Sequence, residues 1–344
     1  MLASSLPEWN LSPVPRVDPH AGAAFPHLQE PDEPGELVER WLARHREAAD
    51  AALTEHGALL LRGFAIADEA AFEQAANALT RALEPSYGDL VKRASARFVY
   101  DATVYPKDRA ILFHNEGSHT PRMPTRQLFF CGRDGFTGGE TPIVDCRKVY
   151  RALPAELRAA FEARGLRYVR NFIPGVDVRW QDFYRTENRH EVEAKCRADR
   201  VEWRWKADGS LRTQTRAPAV IRHPATGEPS FCNQIMLHHP SCLDGKTRQA
   251  LLAVLAVGDL PRNVCFGDGG AIPDDVVAEI LRLTVHTAAR FTWRRGDVLM
   301  LDNLSTAHAR SPFEGDRQIL VAVGDVIDNK ALTRVPLSQA GAIA

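Results

Sequence analysis

Residues 289–327 read ARFTWRRGDVLMLDNLSTAHARSPFEGDRQILVAVGDVI. VLMLDN (298–303) and the apolar part of RQILVAVGDVI (317–327) are short runs rich in Val, Leu and Ile. Each is set off by a turn-forming tract, Arg295-Gly296-Asp297 before the first and SPFEGD before the second, so both read as strands. The same texture recurs upstream. ILFHNE (111–116) and QLFFCG (127–132) are strand-like, and FTGGETPIVD (136–145) carries Gly138-Gly139 ahead of a β-like run. WRWKADGSLRTQ (203–214) places Asp208-Gly209 between two polar-apolar runs, a hairpin signal. HPATGEP (223–229) is a further turn, and GALLLRGF (57–64) is a buried strand bounded by glycines. Helical spacing is confined to 36–55, about 68–83, 148–164 (with Leu153-Pro154 near a bend or restart), 244–257 and 274–289. Many short strands with helical insertions indicate a mainly β chain, closed or sandwiched and antiparallel, in place of a parallel βαβ sheet. We expect one domain over 1–344, a Pro- and Ala-rich segment at 1–35 wrapping its surface, and a mobile lid at 85–107.

Composition narrows the function. The 344 residues carry 43 Lys+Arg against 44 Asp+Glu, a formal net charge of −1. That leaves no cationic surplus to neutralise phosphates, which argues against nucleic-acid binding. No apolar run approaches the roughly 20 residues of a membrane span. The first residues, MLASSLPEWNLSPVPRVDP, do not read as a signal peptide, so a cytoplasmic location is expected. The cysteines (131, 146, 196, 232, 242 and 265) contain no CxxC pair and read as reduced core thiols.

The chemistry centres on His114-Asn115-Glu116. If residues 111–116 form one strand, His114 and Glu116 project from the same face. One more imidazole would complete a two-histidine, one-carboxylate face on Fe(II). A His-x-acid pair alone proves little. With 12 His and 44 acidic residues in 344, chance supplies one or two, and the chain has two. The other pair, His45 and Glu47, lies in a helical pattern, where positions i and i+2 diverge by about 200°. For His114 the plain alternative is a half-buried histidine paired with Glu116. His308, at the polar exit of an apolar strand, is the best third ligand. His238-His239, His223, His286 and His119 are its rivals. Arg317 opens a buried strand and needs an anionic partner. Either an internal aspartate such as Asp302 or Asp316 or a substrate carboxylate meets that need.

Together, GALLLRGF, HNEGSH, GGETPIVD, HPATGE and DNLSTAHARSPFEGDRQIL, in this order from about residue 50 to 328, resemble the taurine dioxygenase/TfdA family of Fe(II)- and 2-oxoglutarate-dependent oxygenases. HNEGSH followed by GGETPIVDCRKVYRALP is most similar to the SyrP-like, clavaminate synthase-like branch, whose members often hydroxylate amino acids or amino-acyl groups in natural-product assembly. The resemblance implies a double-stranded β-helix, or jelly roll, with flanking helices. It implies His114, Glu116 and His308 as iron ligands, with Arg317 and Thr141 binding 2-oxoglutarate. It also implies O₂ as co-substrate and hydroxylation of an unactivated C–H, or desaturation, epoxidation or cyclisation by the same cofactors. Two departures are informative. The carboxylate is Glu116 where taurine dioxygenase has Asp, and Val321 stands where that enzyme binds sulfonate with Arg. A retained carboxylate favours hydroxylation over the chlorination of related halogenases. The expected substrate is an amino acid or a carrier-tethered amino-acyl group, with Asn115, Ser118, His119, Arg122 and Arg310 as candidate contacts. Rival classes are a non-oxidative, cupin-like metal protein and a metal-free binding module. A dicarboxylate clamp at Thr141 and Arg317 argues against the cupin-like reading.

Overall fold

The computed structural model describes residues 11–22, 24–85, 92–102, 105–332 and 341–342 of the 344-residue chain. The predicted strands at 298–302 and 318–327 lie in one six-stranded sheet. Its order is His27–Gln29, Ala58–Leu61, Val298–Asp302, Arg122–Gly138, Phe313–Asp328, Tyr100–Asp101. Arg122–Gly138 and Phe313–Asp328 form its long antiparallel spine. Their ladder joins Gln318 to Arg133 and then Ile319 to Cys131, so Gly132 is the extra residue of a bulge.

Both faces of this sheet are covered, which is why its strands read as unbroken apolar runs. On one face Leu128, Phe130, Met300 and Leu320 pack against Trp41 and Leu42 of helix Val38–His56 and Phe72 and Ala76 of helix Glu69–Leu79. On the other, Phe129, Cys131, Leu299, Leu301, Ile319 and Val321 meet Ile143 of a three-stranded sheet. That sheet holds Thr306–Arg310 between Ile111–His114 and Ile143–Asp145. The two facing sheets form the jelly roll.

Arg62 and Asp297 bind the GALLLRGF run to the Arg-Gly-Asp turn through a buried pair at 2.9 and 2.7 Å. A five-stranded sheet, in the order Arg262–Phe266, Leu166–Phe172, Leu211–Ala217, Glu202–Trp205, Gly341–Ala342, forms a separate layer. Its Asp208-Gly209 hairpin is formed as expected, with Trp205 opposite Leu211 and Gly209 at φ 83°. The strands 166–172 and 262–266 were not anticipated, because arginines interrupt their apolar alternation.

Several boundaries differ from expectation. The 148–164 stretch restarts at Leu153-Pro154 as expected, but its first helix begins two residues earlier: the two are Cys146–Ala152 and Ala155–Arg164, with Pro154 at the N-terminal boundary of the second. The 244–257 helix ends at Leu252. Within 85–107, residues 86–91 and 103–104 lie outside the described residues. Much of the rest is anchored rather than free. Tyr100–Asp101 is the edge strand of the main sheet, opposite Leu320 and Val321, and the Tyr100 hydroxyl donates to Glu84 O at 2.9 Å. Arg93 pairs with Glu69 and Asp101. In the described part of 1–35, Leu11 and Val14 are buried, and Val17 N donates to Arg290 O at 2.8 Å. All six cysteines are free. Among the described residues no helix is long and apolar enough to cross a membrane.

Candidate metal centre and co-substrate site

His308 lies directly opposite His114 in the antiparallel ladder, and their rings are 4.2 Å apart. His114 Nδ1–H donates to Leu112 O at 2.9 Å, which leaves Nε2 as the lone-pair nitrogen. That Nε2 is 3.8 Å from Glu116 Oε2. Ligand atoms of His114, Glu116 and His308 all lie within 4.8 Å of one another, and among the described residues no other group of three His, Cys, Asp or Glu meets that criterion. Burial, and then the neighbouring His114, hold the His308 imidazole well below the usual histidine range, so it stays neutral. Its Nδ1 is buried without a hydrogen-bond partner. An orphaned polar atom beside a second imidazole and a carboxylate fits a divalent cation, and the donor set suits Fe(II).

The rival histidines are engaged elsewhere. His223 Nε2 meets Asp302 at 2.7 Å, His239 bonds Ser241 and Ile272 O, and His286 is exposed on its helix. His45 sits on a helix and pairs with Asp32 at 2.8 Å.

One inference about the motif needs correction. The strand ends at His114, and Glu116 stands in the following turn, with Gly117 at φ 65°. Pleat alternation therefore does not place the carboxylate. The Asn303 side chain, a residue the sequence reading missed, holds the Glu116 main chain by two hydrogen bonds of 2.8 Å.

Arg317 is partly buried and has neither expected aspartate as partner. Asp302 bonds His223 and Asp316 pairs with Arg133. Arg317 Nε donates to Gly139 O at 2.9 Å, and no ion pair of Arg317 occurs among the described residues. Burial, then Arg310, lower its affinity for a proton to about 10, against a partial upward pull from Cys131 and Glu140. A guanidinium under that strain, with its fork unused, suits a carboxylate. Gly139 has φ 65°, and a Cβ there would lie 2.9 Å from Arg317 Cδ, so glycine makes room for the side chain. Two residues on, buried Thr141 accepts the Trp293 indole N–H at 3.2 Å, which leaves the Thr141 hydroxyl hydrogen free to donate.

The candidate substrate residues divide. Asn115 is buried in the scaffold: Nδ2 donates to Asn303 O at 2.9 Å and Oδ1 accepts Asn233 N–H at 3.1 Å. Ser118 Oγ donates to Asn115 O at 2.9 Å. The Asn115 side chain thus ties the turn that carries Glu116 to Asn303 and Asn233, and Ser118 bonds back within that turn. Arg122 is exposed at the start of its strand. Arg310 binds the carbonyls of Tyr105, Pro106 and Arg109 at 3.1, 2.5 and 2.6 Å, so it anchors 105–109. His119 packs with Tyr168 and His238, ring centroids 5.8 and 5.0 Å away. Burial first, then Arg262, Arg170 and His114, push the His119 imidazole down to about 3, so it is neutral.

A jelly roll with two histidines paired across its smaller sheet, a carboxylate in the turn that follows the first, and a partly buried arginine on the facing sheet defines a non-haem Fe(II)- and 2-oxoglutarate-dependent dioxygenase. The model of the taurine catabolism dioxygenase TauD, TfdA family matches residues 22–323, and the chain belongs to that family. It is 35% identical to the dapdiamide synthesis protein DdaC of Enterobacter agglomerans, over 93% of this chain and 95% of that protein. It is 27% identical to a clavaminate synthase-like protein of Arabidopsis thaliana, over 92% and 94%. Among solved structures, PvcB of Pseudomonas aeruginosa shares the fold at TM-score 0.52 and 18% identity, over 91% of this chain and 89% of PvcB. A putative α-ketoglutarate-dependent taurine dioxygenase of Burkholderia xenovorans does so at 0.51 and 18%, over 85% and 84%.

Proposed function

We propose that this dioxygenase hydroxylates an unactivated C–H of an amino acid, or of an amino-acyl group on a carrier protein, in natural-product biosynthesis. The observation that carries this reading is the 35% identity, over 93% of this chain, to a protein of dapdiamide synthesis. Val321 supports it: the position is buried and apolar, which leaves a sulfonate no cation there. Six free thiols suit a reducing, cytoplasmic setting.

In this reading His114, Glu116 and His308 hold Fe(II), and Arg317 and Thr141 hold the distal carboxylate of 2-oxoglutarate. With both bound, the centre supplies the oxidising power to convert R–H, O₂ and 2-oxoglutarate into R–OH, succinate and CO₂. The chain's share is placement. The ladder fixes the two imidazoles, Arg317 orients the dicarboxylate by a planar fork, and the apolar wall of Phe129, Leu301 and Val321 keeps water from the reacting C–H. Phe129 stands 4.9 Å from the His308 ring, so that wall reaches the metal ligands. His119, Tyr168 and His238 form a neutral aromatic flank suited to a polar, uncharged part of the substrate.

The test is a panel of free and carrier-tethered amino acids, with succinate release as readout and mass spectrometry of the product. One added oxygen supports hydroxylation; loss of two hydrogens would mean desaturation or ring closure instead. Turnover of taurine or an aryloxyacetate well above every amino acid would refute the proposed substrate class.

A further inference from the structure

The ladder sets two of the three candidate ligands. His114 and His308 face each other as paired residues, so strand pairing alone fixes their separation. Glu116 lies two residues past the end of Ile111–His114, and a glycine with φ 65° follows it. Strand pairing therefore does not hold the Glu116 main chain, and what fixes it must come from another part of the chain.

Asn303 fastens it. Its Oδ1 accepts the Glu116 N–H at 2.8 Å, and its Nδ2 donates to Glu116 O at 2.8 Å and to Pro124 O at 2.7 Å. The side chain is fully buried, and both of its N–H donors and its carbonyl are in use. Its own main chain is equally fixed: N–H donates to Thr125 O at 2.9 Å, and O accepts Asn115 Nδ2 at 2.9 Å. Asn303 also follows the buried strand Val298–Asp302, and Asp302 is itself bonded to His223. The clasp thus joins the Glu116 turn to the rigid centre of the main sheet.

We propose that Asn303 is the positioning residue of the Glu116 carboxylate, and that its two-bond grip on the Glu116 main chain sets the affinity of the centre for its metal. The inference rests on Glu116 being a metal ligand. It requires a carboxamide. Aspartate presents no donor and turns a negative oxygen toward two carbonyls, and leucine offers neither donor nor acceptor. Partners that orient a ligand typically change metal affinity by about 10- to 100-fold.

The probe is Co(II), titrated into the metal-free full-length chain and followed by its visible absorption. Asn303→Asp is expected to weaken Co(II) binding about 10- to 100-fold, and Glu116→Ala to weaken it as well. Combining them should leave affinity within about twofold of Glu116→Ala alone, because a clasp has nothing to position once the carboxylate is gone. Asn303→Ser, which adds no charge, takes the place of Asn303→Asp if that chain does not fold. Three results would overturn the inference. Parental affinity in the Asn303 variant refutes the clasp while leaving Glu116 a ligand. Full additivity in the double variant assigns the loss to the fold at large. Parental affinity in Glu116→Ala refutes the ligand assignment itself, and the clasp with it.

Discussion

Replacing Arg317 with methionine should move two quantities in opposite directions. The guanidinium is partly buried near Arg310 and has no ion-pair partner among the described residues, and burial first lowers its proton affinity to about 10 from an ordinary 12.5. Keeping it charged therefore costs the ligand-free fold about 3 kcal/mol. Methionine keeps the apolar stem against Phe136 and Phe313, whose rings lie 5.7 and 5.3 Å from the guanidinium carbon, and removes the charge. The variant should thus be as stable as the parent or more so without ligand. Its co-substrate site, by contrast, loses the fork. Breaking a buried charge pair costs about 3–5 kcal/mol, or about two to three and a half decades of affinity. Calorimetric titration with 2-oxoglutarate on the Fe(II)-loaded, oxygen-free protein measures the second effect, and thermal unfolding of the ligand-free protein measures the first. Arg317→Lys should fall between, since an ammonium keeps the charge and loses the bidentate geometry. A 2-oxoglutarate affinity within a fewfold of the parent in Arg317→Met would refute the assignment and leave Arg310 as the next candidate clamp.

Thr141→Val removes the bond accepted from the Trp293 indole N–H and the one donated to the distal carboxylate; loss of the second, worth at least about 1 kcal/mol, should raise the KM for 2-oxoglutarate about fivefold or more with kcat nearly unchanged, and a change in kcat alone would contradict a binding role. His308→Ala should abolish succinate formation coupled to substrate, and full activity would show that another residue is the third ligand. Arg310→Met frees three carbonyls of 105–109, so amide exchange should accelerate there and stay unchanged across the edge strand Tyr100–Asp101; equal acceleration in both would mean that the two move together. Arg62→Met leaves Asp297 buried and unpaired and should cost about 3–5 kcal/mol in urea unfolding at pH 7. Burial already pushes the Asp297 carboxyl up, against the pull of Arg62. Without Arg62 it rises further, so the native state holds a proton that the unfolded chain has released, and the deficit should shrink as pH falls from 7 toward the ordinary carboxylate range.

The sequence by itself determined the kind of fold and the candidates for the site. Strand texture at 298–302 and 318–327 reflects a sheet covered on both faces, a local consequence of burial that period and composition record directly. His114 and Glu116 stand out by their spacing and His308 as the best of several histidines, whereas Thr141 and the 2-oxoglutarate role of Arg317 come only from the family resemblance of the motifs around them. The tertiary structure decided where side chains with several available partners point. Arg310 carries the charge of a substrate ligand, yet three carbonyls of 105–109 claim it. Asn115 and Ser118 sit within and just after the motif, yet Asn303, Asn233 and the turn itself claim their polar atoms. Tyr100 lies in a segment that reads as a flap and is an edge strand, because pairing with Leu320 and Val321 belongs to another part of the chain. Glu116 is the sharpest case: its residue type was legible, but its position depends on hydrogen bonds from Asn303, 187 residues away. Burial leaves a periodic trace in the sequence; a hydrogen bond between distant main-chain and side-chain atoms leaves none, because asparagine in a strand-to-turn tract reads the same whether it caps its own turn or holds another.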